Sequence, residues 1–265
     1  MKGRVLIVAG SDSGGGAGIQ ADIKTVTMLD GFAATAVTAL TAQNTEGVFG
    51  VLPIAPDFIR QQIEVVLDDI GADAVKTGML HDSAVIETVG AVLAERAANV
   101  PLVVDPVMVA KGGAALIEPG AIEALKRRLV ARATVLTPNL PEAEILAGRK
   151  IESRASMEET ATAMLGLGCR AVLLKGGHLA GDTVYDVLAT ASGLRVWESP
   201  RIDSRHTHGT GCTLASAIAA GLAQEMAIEP AVERARDYVQ RAIASAPGLG
   251  HGHGPLDHAH PLRAR

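Results

Sequence analysis

The residues best placed to do chemistry lie in one short stretch, 206–214, where two glycines alternate with threonines and a cysteine. The small and apolar residues that follow predict a helix over 214–223. A glycine-rich turn that opens a helix leaves backbone N–H groups unpaired at the positive end of the helix dipole, which favours phosphate binding. Cys212 falls at the first turn, where the pKa of a thiol is lowered. The stretch predicts an anion hole with a base beside it; a simple helix cap with an inert cysteine is the alternative.

The first glycine-rich turn along the chain, residues 10–18, follows an apolar run that is typical of a buried parallel strand. The P-loop pattern is excluded because no Gly-Lys-Ser/Thr follows this turn. Gly16, Gly18 and Ala21 half-match the dinucleotide fingerprint, but the second strand (34–40) ends without the acidic residue that this fingerprint requires. We therefore expect a loop that lines a ligand, with a purely structural tight turn as the alternative.

Polar side chains recur where the predicted strands end. Asp105, Asn139, Glu142 and Lys175 each follow a short apolar run. In open α/β sheets the carboxyl ends of the strands form the edge at which ligands bind. Asn139 and Glu142 also fit a helix capping box, and the alternative for Lys175 is an exposed lysine ahead of a turn. The residues expected to gather at this edge are Asp12, Gln43, Met79, Asp105, Asn139 and Lys175.

The composition limits the function classes. Of 265 residues, 48% are hydrophobic and 20% are charged, which predicts an ordered protein with a sizeable core. A net charge of −5 with no long basic run argues against a nucleic-acid partner. Two cysteines make no disulfide framework, and no apolar run suits a signal peptide or a membrane span, so we expect a cytoplasmic protein. Four of the eight histidines lie within 251–260, but their spacing fits no zinc pattern.

The predicted elements alternate between short apolar runs and helical patterns along the chain. This alternation predicts an α/β fold with a mostly parallel central sheet and helices on both faces. Residues 183–190 and 194–199 predict a hairpin at an antiparallel edge of that sheet. No linker is present, so we expect one domain over 1–265. Further elements are predicted as helices at 56–69, 83–97, 119–129, 156–167 (with Ser156 and Glu159 as a capping box) and 231–246, and as a loop at Lys111-Gly112-Gly113.

These segments match, in order, the motifs of a known family. The chain resembles the hydroxymethylpyrimidine/phosphomethylpyrimidine kinases of thiamine biosynthesis, within the ribokinase-like superfamily. The resemblance covers nearly the whole chain, which makes it far more specific than a single motif. The matching segments are Asp105-Pro106-Val107-Met108, Thr137-Pro138-Asn139-Leu140-Pro141-Glu142-Ala143, Lys175-Gly176-Gly177-His178, Thr207-His208-Gly209-Thr210-Gly211-Cys212-Thr213, and residues 9–12, 15–22, 42–45 and 76–80.

The resemblance implies an ATP-dependent kinase of ribokinase-like fold. It implies phosphorylation of 4-amino-5-hydroxymethyl-2-methylpyrimidine and then of its monophosphate, by a homodimer. Many superfamily members carry Asp as the base where this chain carries Cys212. The site residues implied are Gln43, Gly10, Asp22, Met79 and Val107 for the pyrimidine; Gly209, Thr210, Gly211 and Cys212 for the anion hole and base; Lys175, Thr207 and Asn139 for ATP and phosphate; and Glu142 and Asp105 for Mg²⁺ bound through water.

The resemblance leaves two departures and three alternatives. His206 stands where many relatives have Asn, and His251 where many have Lys, so a phosphate contact there is expected to be weaker or pH-dependent. A pyridoxal kinase of the same superfamily is the nearest alternative, because its substrate is also a small heteroaromatic ring with a hydroxymethyl group. A non-catalytic phosphate-binding module would not need Cys212, Asn139 and Glu142 together. A dinucleotide-dependent oxidoreductase is disfavoured by the missing acidic residue.

Overall fold

The computed structural model describes residues 1–108, 117–118 and 120–263. The strands within these residues are Arg4–Asp12 (β1), Phe32–Gln43 (β2), Val48–Pro53 (β3), Ala74–Thr77 (β4), Leu102–Val104 (β5), Val135–Leu136 (β6), Ala171–Lys175 (β7), Thr183–Thr190 (β8) and Gly193–Pro200 (β9). The α-helices are Gly18–Met28 (α1), Pro56–Asp69 (α2), Ser83–Arg96 (α3), Ala121–Arg128 (α4), Leu140–Ala147 (α5), Arg154–Met164 (α6), Thr210–Ala223 (α7) and Ile228–Ala244 (α8).

The strands form a nine-stranded sheet in the order β3-β2-β1-β4-β5-β6-β7-β8-β9. The central strands pair in parallel, whereas β8 and β9 are antiparallel at one edge. The predicted α/β fold, with a mostly parallel sheet and an antiparallel edge hairpin, is therefore confirmed. The other edge also carries an antiparallel strand, β3, which the sequence analysis did not predict. Its side chains are largely exposed and do not alternate between apolar and polar, so its pattern carries no strand signal.

Helices cover both faces of the sheet, as predicted. Side chains of β1 alternate between two cores: Leu6 and Val8 face α2 to α6, and Val5 and Ile7 face α1, α7 and α8. Helix α7 is buried from Thr213 to its end. Its alanines and glycines allow close packing between the sheet and α8, because small side chains let backbones approach. This packing fixes the N-terminus of α7 at the carboxyl edge of the strands.

Several element boundaries differ from the predictions. Helix α7 begins four residues earlier than the predicted start, and α4 is shorter than the predicted 119–129. Helix α6 begins at Arg154 because Ser153 and Ser156 form its capping box, in place of the predicted pair of Ser156 and Glu159. The loop predicted at Lys111-Gly112-Gly113 lies outside the described residues. Within the described ranges, no helix combines the length and the apolar character that crossing a membrane requires.

Candidate active site

A cavity of about 460 Å³ lies at the carboxyl edge of the parallel strands. The structure places there all but one of the residues predicted for the site. Those lining it are Gly10, Gln43, Met79, Asp105, Val107, Asn139, Glu142, Lys175, Thr207, Gly209, Thr210, Gly211 and Cys212. A larger cavity, of about 990 Å³, lies between the β8–β9 turn and the α7–α8 turn and contains none of them. The smaller cavity is thus the candidate active site.

The N-terminus of α7 is held against the first glycine-rich turn. Gly209 has a φ of +82°, and a Cβ there would lie 1.8 Å from the carbonyl oxygen of Gly16. Only glycine therefore allows the two turns to meet. Among the described residues no side chain caps α7, and although the N–H groups of Thr210 and Thr213 donate to backbone carbonyls, those of Gly211 and Cys212 face an anion without a partner in these residues. This geometry fits the predicted anion hole.

Replacing Gly209 with alanine is expected to lower both the unfolding midpoint and kcat. The left-handed conformation costs about 1–2 kcal/mol for an L-residue, and the contact with Gly16 forces the turns apart in addition. Thermal unfolding and steady-state kinetics measure the two effects. Gly166→Ala is the matched control, because a Cβ on Gly166 meets nothing within 4 Å. Equal behaviour of the two variants would contradict the close packing of the turns.

Cys212 is a half-buried thiol rather than the thiolate that its helical position suggested. Burial raises its pKa to about 12, and the carboxylates of Asp22 and Asp105 also raise it. The ammonium of Lys76 and the backbone N–H of Gly18 lower the pKa of Cys212, but by less than burial and the two carboxylates raise it. The prediction of a lowered pKa is therefore wrong. The helix terminus was taken into account, but burial and two nearby carboxylates were not visible in the sequence.

Asp22 is the one predicted site residue that does not line the cavity. It is fully buried, and both of its carboxylate oxygens accept hydrogen bonds from Lys76 Nζ, at 2.9 and 2.8 Å. Ser216 Oγ donates to the same carboxylate at 2.6 Å. The predicted direct contact of Asp22 with the pyrimidine is thus corrected, because three hydrogen bonds from two atoms of the protein, Lys76 Nζ and Ser216 Oγ, already occupy its oxygens. Asp22 reaches the cavity only through Lys76, which does line it.

Lys76 lines the candidate site, and the sequence analysis did not name it as a site residue. It lies in β4, within a fully buried strand, and its side chain is itself fully buried. Burial alone would lower its pKa, but the charges of Asp22, Cys212 and Asp105 raise it, so the ammonium stays charged. A lysine in a short buried strand was the available signal, because such a charge needs a partner.

A second set of interacting polar and charged side chains lies at the ends of β5 and β7 and at the start of α5. Lys175 Nζ donates to Asp105 Oδ1 at 3.0 Å. Asn139 and Glu142 form the predicted capping box at the start of α5, with bonds of 2.8 and 2.9 Å. Burial raises the pKa of Glu142 to about 7; Lys175 lowers it and Asp105 raises it further. These side chains bring one cation and two carboxylates to the same wall of the cavity.

The two carboxylates fit a cation that keeps most of its water. Asp105 and Glu142 supply hard oxygen ligands, and each already accepts a hydrogen bond from the protein. In the part of the chain that the structure describes, no cluster of three or more His, Cys, Asp or Glu side chains forms a direct metal site. Mg²⁺ usually uses only one or two carboxylates together with water and substrate phosphates. The donor set therefore fits Mg²⁺ bound through water.

Asp12 closes the first glycine-rich turn. Its carboxylate accepts hydrogen bonds from the N–H groups of Gly14, Gly16 and Ala17, at 2.8, 3.1 and 2.8 Å. His208 Nε2 lies 2.8 Å from the same carboxylate. The sequence placed Asp12 at the correct edge but gave no sign of His208 as its partner, because the two are 196 positions apart.

The two departures from the family pattern lie outside the cavity wall. His206 packs against Gly254 and accepts a hydrogen bond from Arg205 Nε at 3.3 Å. His251 is exposed, and His253 lines the cavity instead. The segment 250–258 packs back onto the protein: His258 Nε2 lies 2.9 Å from Thr213 Oγ1 in α7. His251 is not among the residues that line the cavity.

A mostly parallel sheet with a helix N-terminus, a half-buried thiol and a carboxylate-lysine wall at its carboxyl edge is typical of small-molecule kinases of ribokinase-like fold. The family model for phosphomethylpyrimidine kinase matches residues 12–257. The chain belongs to this family.

Two curated relatives of the chain carry names from thiamine biosynthesis or from the matching kinase family. It is 49% identical to the hydroxymethylpyrimidine/phosphomethylpyrimidine kinase of Streptomyces coelicolor, over 97% of the chain and 95% of that protein. It is 53% identical to the thiamine biosynthesis bifunctional protein ThiED of Geobacter sulfurreducens, over 97% of the chain but only 52% of that longer protein. The chain thus spans about half the length of the bifunctional relative.

Two solved structures represent the two substrate classes. The ADP complex of Bacillus subtilis pyridoxal kinase has a TM-score of 0.91 at 36% identity and covers 100% of both chains. The phosphomethylpyrimidine kinase of Clostridium difficile has a TM-score of 0.82 at 40% identity, covering 91% of this chain and 100% of the other. The fold is therefore shared by both classes, and the substrate must be argued from the site.

Proposed function

We propose that the chain transfers the γ-phosphoryl group of ATP to the hydroxyl of 4-amino-5-hydroxymethyl-2-methylpyrimidine, and a second phosphoryl group to the resulting monophosphate, in thiamine biosynthesis. The proposal rests on one observation: the N-terminus of α7 and Cys212 line the same cavity as Gln43, Met79 and Val107. The names of the relatives that match almost the full length of the chain support this substrate.

Each group in the cavity has a task in such a transfer. Phosphoryl transfer depends on positioning and charge neutralisation more than on covalent chemistry. The N–H groups at the start of α7 stabilise charge that develops on the phosphoryl oxygens, and Lys175 neutralises phosphate charge beside them. The thiolate form of Cys212, a minor fraction at neutral pH, accepts the proton of the substrate hydroxyl late in the transfer and becomes the neutral thiol, and the ammonium of Lys76 favours the thiolate before the transfer. Asp105 and Glu142 would hold Mg²⁺ through water, and the ion would supply further neutralisation of phosphate charge.

The test is ADP release with Mg-ATP, with the hydroxymethylpyrimidine and pyridoxal offered separately and the products identified by mass. A pyrimidine diphosphate supports both transfers. Turnover of pyridoxal alone would replace the substrate but keep the mechanism. Absence of turnover with either would favour a non-catalytic phosphate-binding module.

Pyridoxal kinase is kept as the second candidate because of one observation. The pyridoxal kinase of Bacillus subtilis superimposes with a TM-score of 0.91, above the 0.82 of the phosphomethylpyrimidine kinase of Clostridium difficile. Both alcohols are small heteroaromatic rings, and the cavity of about 460 Å³ has room for either. The relative from Streptomyces coelicolor, at 49% identity, is named for the pyrimidine and favours that substrate.

Replacing Gln43 with alanine is expected to raise the KM for the pyrimidine about tenfold and to leave the KM for ATP within about twofold, because the amide contacts the ring and not the nucleotide. Steady-state kinetics with each substrate varied in turn measure both constants. An unchanged pyrimidine KM would place Gln43 outside the substrate pocket.

We further propose that the chain works as one kinase domain over 1–265, in the cytoplasm, as a homodimer. Both cysteines are unpaired, which suits a reducing compartment. Edge strand β3 exposes Phe49 (71%) and Leu52 (62%), an apolar surface that a second copy of the chain would cover. Light scattering at several concentrations tests this proposal: the unmodified chain is expected to have twice the monomer mass, and a variant with Glu at both positions to be monomeric.

A further inference from the structure

His208 is wedged between the two glycine-rich turns. Its Nε2 lies 2.8 Å from Asp12 Oδ2 and 3.3 Å from Gln43 Nε2. Its backbone N–H donates to the carbonyl oxygen of Gly254 at 3.2 Å. A Cβ on Gly16 would lie 2.6 Å from the imidazole Cδ2. The ring is therefore confined on several sides, and only one edge of it meets Asp12 and Gln43.

The proton on this edge can be assigned from the partners. Asp12 accepts three backbone N–H bonds, and its pKa is lowered: burial alone would raise it, but the bonds from His208, Ala17 and Gly14 outweigh burial. Because a carboxylate can only accept hydrogen bonds, His208 Nε2 must carry a hydrogen and donate it to Asp12.

That assignment fixes the orientation of the Gln43 amide. A protonated Nε2 cannot accept from an amide nitrogen, so the amide oxygen of Gln43 is the atom that faces His208. The amide nitrogen then lies at the 3.0 Å position beside Thr41 Oγ1 and donates to it, while the hydroxyl of Thr41 donates to the carbonyl oxygen of Ser11 at 2.9 Å. Every donor in the chain from Asp12 to Ser11 then has an acceptor.

A primary amide has two N–H groups and two oxygen lone pairs. Thr41 engages one N–H group, and the single Nε2 hydrogen of His208 is already donated to Asp12, so Gln43 keeps one N–H donor and its oxygen acceptor for a ligand in the cavity. A 4-aminopyrimidine presents an amino donor beside a ring-nitrogen acceptor, the kind of edge that glutamine reads in adenine. Pyridoxal carries no amino group beside its ring nitrogen.

We propose that His208 is a positioning residue that sets the substrate preference: by orienting the Gln43 amide it favours a 4-aminopyrimidine over a pyridine alcohol. This inference rests on the proposed function for the identity of the favoured ring. The orientation of Gln43 by His208 rests on the geometry alone.

The first experiment compares dissociation constants of the hydroxymethylpyrimidine and pyridoxal, measured by calorimetry, for the unmodified protein and for His208→Phe. The dissociation constant for pyridoxal divided by that for the hydroxymethylpyrimidine is expected to fall by about tenfold in the variant, because a bidentate contact contributes about 1–3 kcal/mol of discrimination. The KM for ATP is expected to stay within about twofold. His208→Gln, whose amide can still donate to Asp12, is expected to restore part of the preference, and His251→Phe, at an exposed position, serves as the control.

Equal weakening of both ligands by His208→Phe, with an unchanged ratio, would assign His208 a structural role only and overturn the proposal. The second measurement does not depend on the substrate. Nitrogen-15 NMR of the imidazole is expected to show a hydrogen on Nε2 of His208, and Asp12→Asn is expected to shift that signal. A neutral ring protonated only at Nδ1 would also overturn the proposal. Turnover by the unmodified protein decides the proposed function separately.

Discussion

Replacing Cys212 with alanine is expected to lower kcat by about 10²- to 10⁴-fold while ATP still binds, because the variant loses the group that accepts the hydroxyl proton. The anion hole is built by backbone N–H groups at the start of α7, so it survives the substitution. Steady-state kinetics give kcat, and calorimetry gives the affinity for ATP. Near-normal turnover would remove Cys212 from the mechanism.

The pH dependence of this variant is equally informative. Burial holds the pKa of Cys212 at about 12, so the thiolate fraction rises roughly tenfold per pH unit across the neutral range. The kcat of the unmodified protein is expected to rise between about pH 6 and about pH 9, and this rise is expected to be weaker in the alanine variant. Cys212→Asp, which restores a base, is the control and is expected to recover part of the lost rate.

Replacing Lys76 with methionine is expected to destabilise the fold by about 3–5 kcal/mol, because it leaves the buried carboxylate of Asp22 without its cation. Urea unfolding measures this loss. Activity is expected to fall as well, since Lys76 is the positive charge that opposes the raised pKa of Cys212. A loss of stability below about 1 kcal/mol would contradict the ion pair as described.

The double variant Lys76→Met with Asp22→Asn separates the two effects. Removing both charges of a buried pair is often neutral for stability, so most of the lost unfolding free energy is expected to return. The rate is not expected to return, because the cation beside Cys212 is still missing. A double variant with both normal stability and normal kcat would show that the pair serves the fold alone.

The sequence predicted best those features that depend on a single strand, helix or turn. Short apolar runs predicted the parallel strands, and the rule that ligands bind at their carboxyl ends placed Asp105, Asn139 and Lys175 together correctly. The capping box of α5 was readable for the same reason, since it depends on residues three positions apart. Gly209 also indicated a turn. The structure shows that only glycine permits the close contact of this turn with Gly16.

What the sequence did not reveal depends on contacts between distant segments. The pairing of Lys76 with Asp22 and of Asp12 with His208 follows from the strand order, which no local pattern encodes. The same holds for the pKa of Cys212, because burial and neighbouring charges outweigh the local helix terminus. Strand β3 escaped detection because its pairing with β2, rather than its own pattern, makes it a strand.

The hydrogen bonds around the first glycine-rich turn, residues 10–18, and the neighbouring residue Thr45 join parts of the chain that are far apart in sequence. Asp12 meets His208 across 196 positions, and Gly252 meets Thr45 across 207. Contacts of such separation carry a high loop-closure entropy and form late in folding. A folding intermediate with most of its helices in place would therefore have no working phosphate site. Recovery of kinase activity during refolding would then lag behind recovery of helical signal, and activity would report the last step of folding rather than the first.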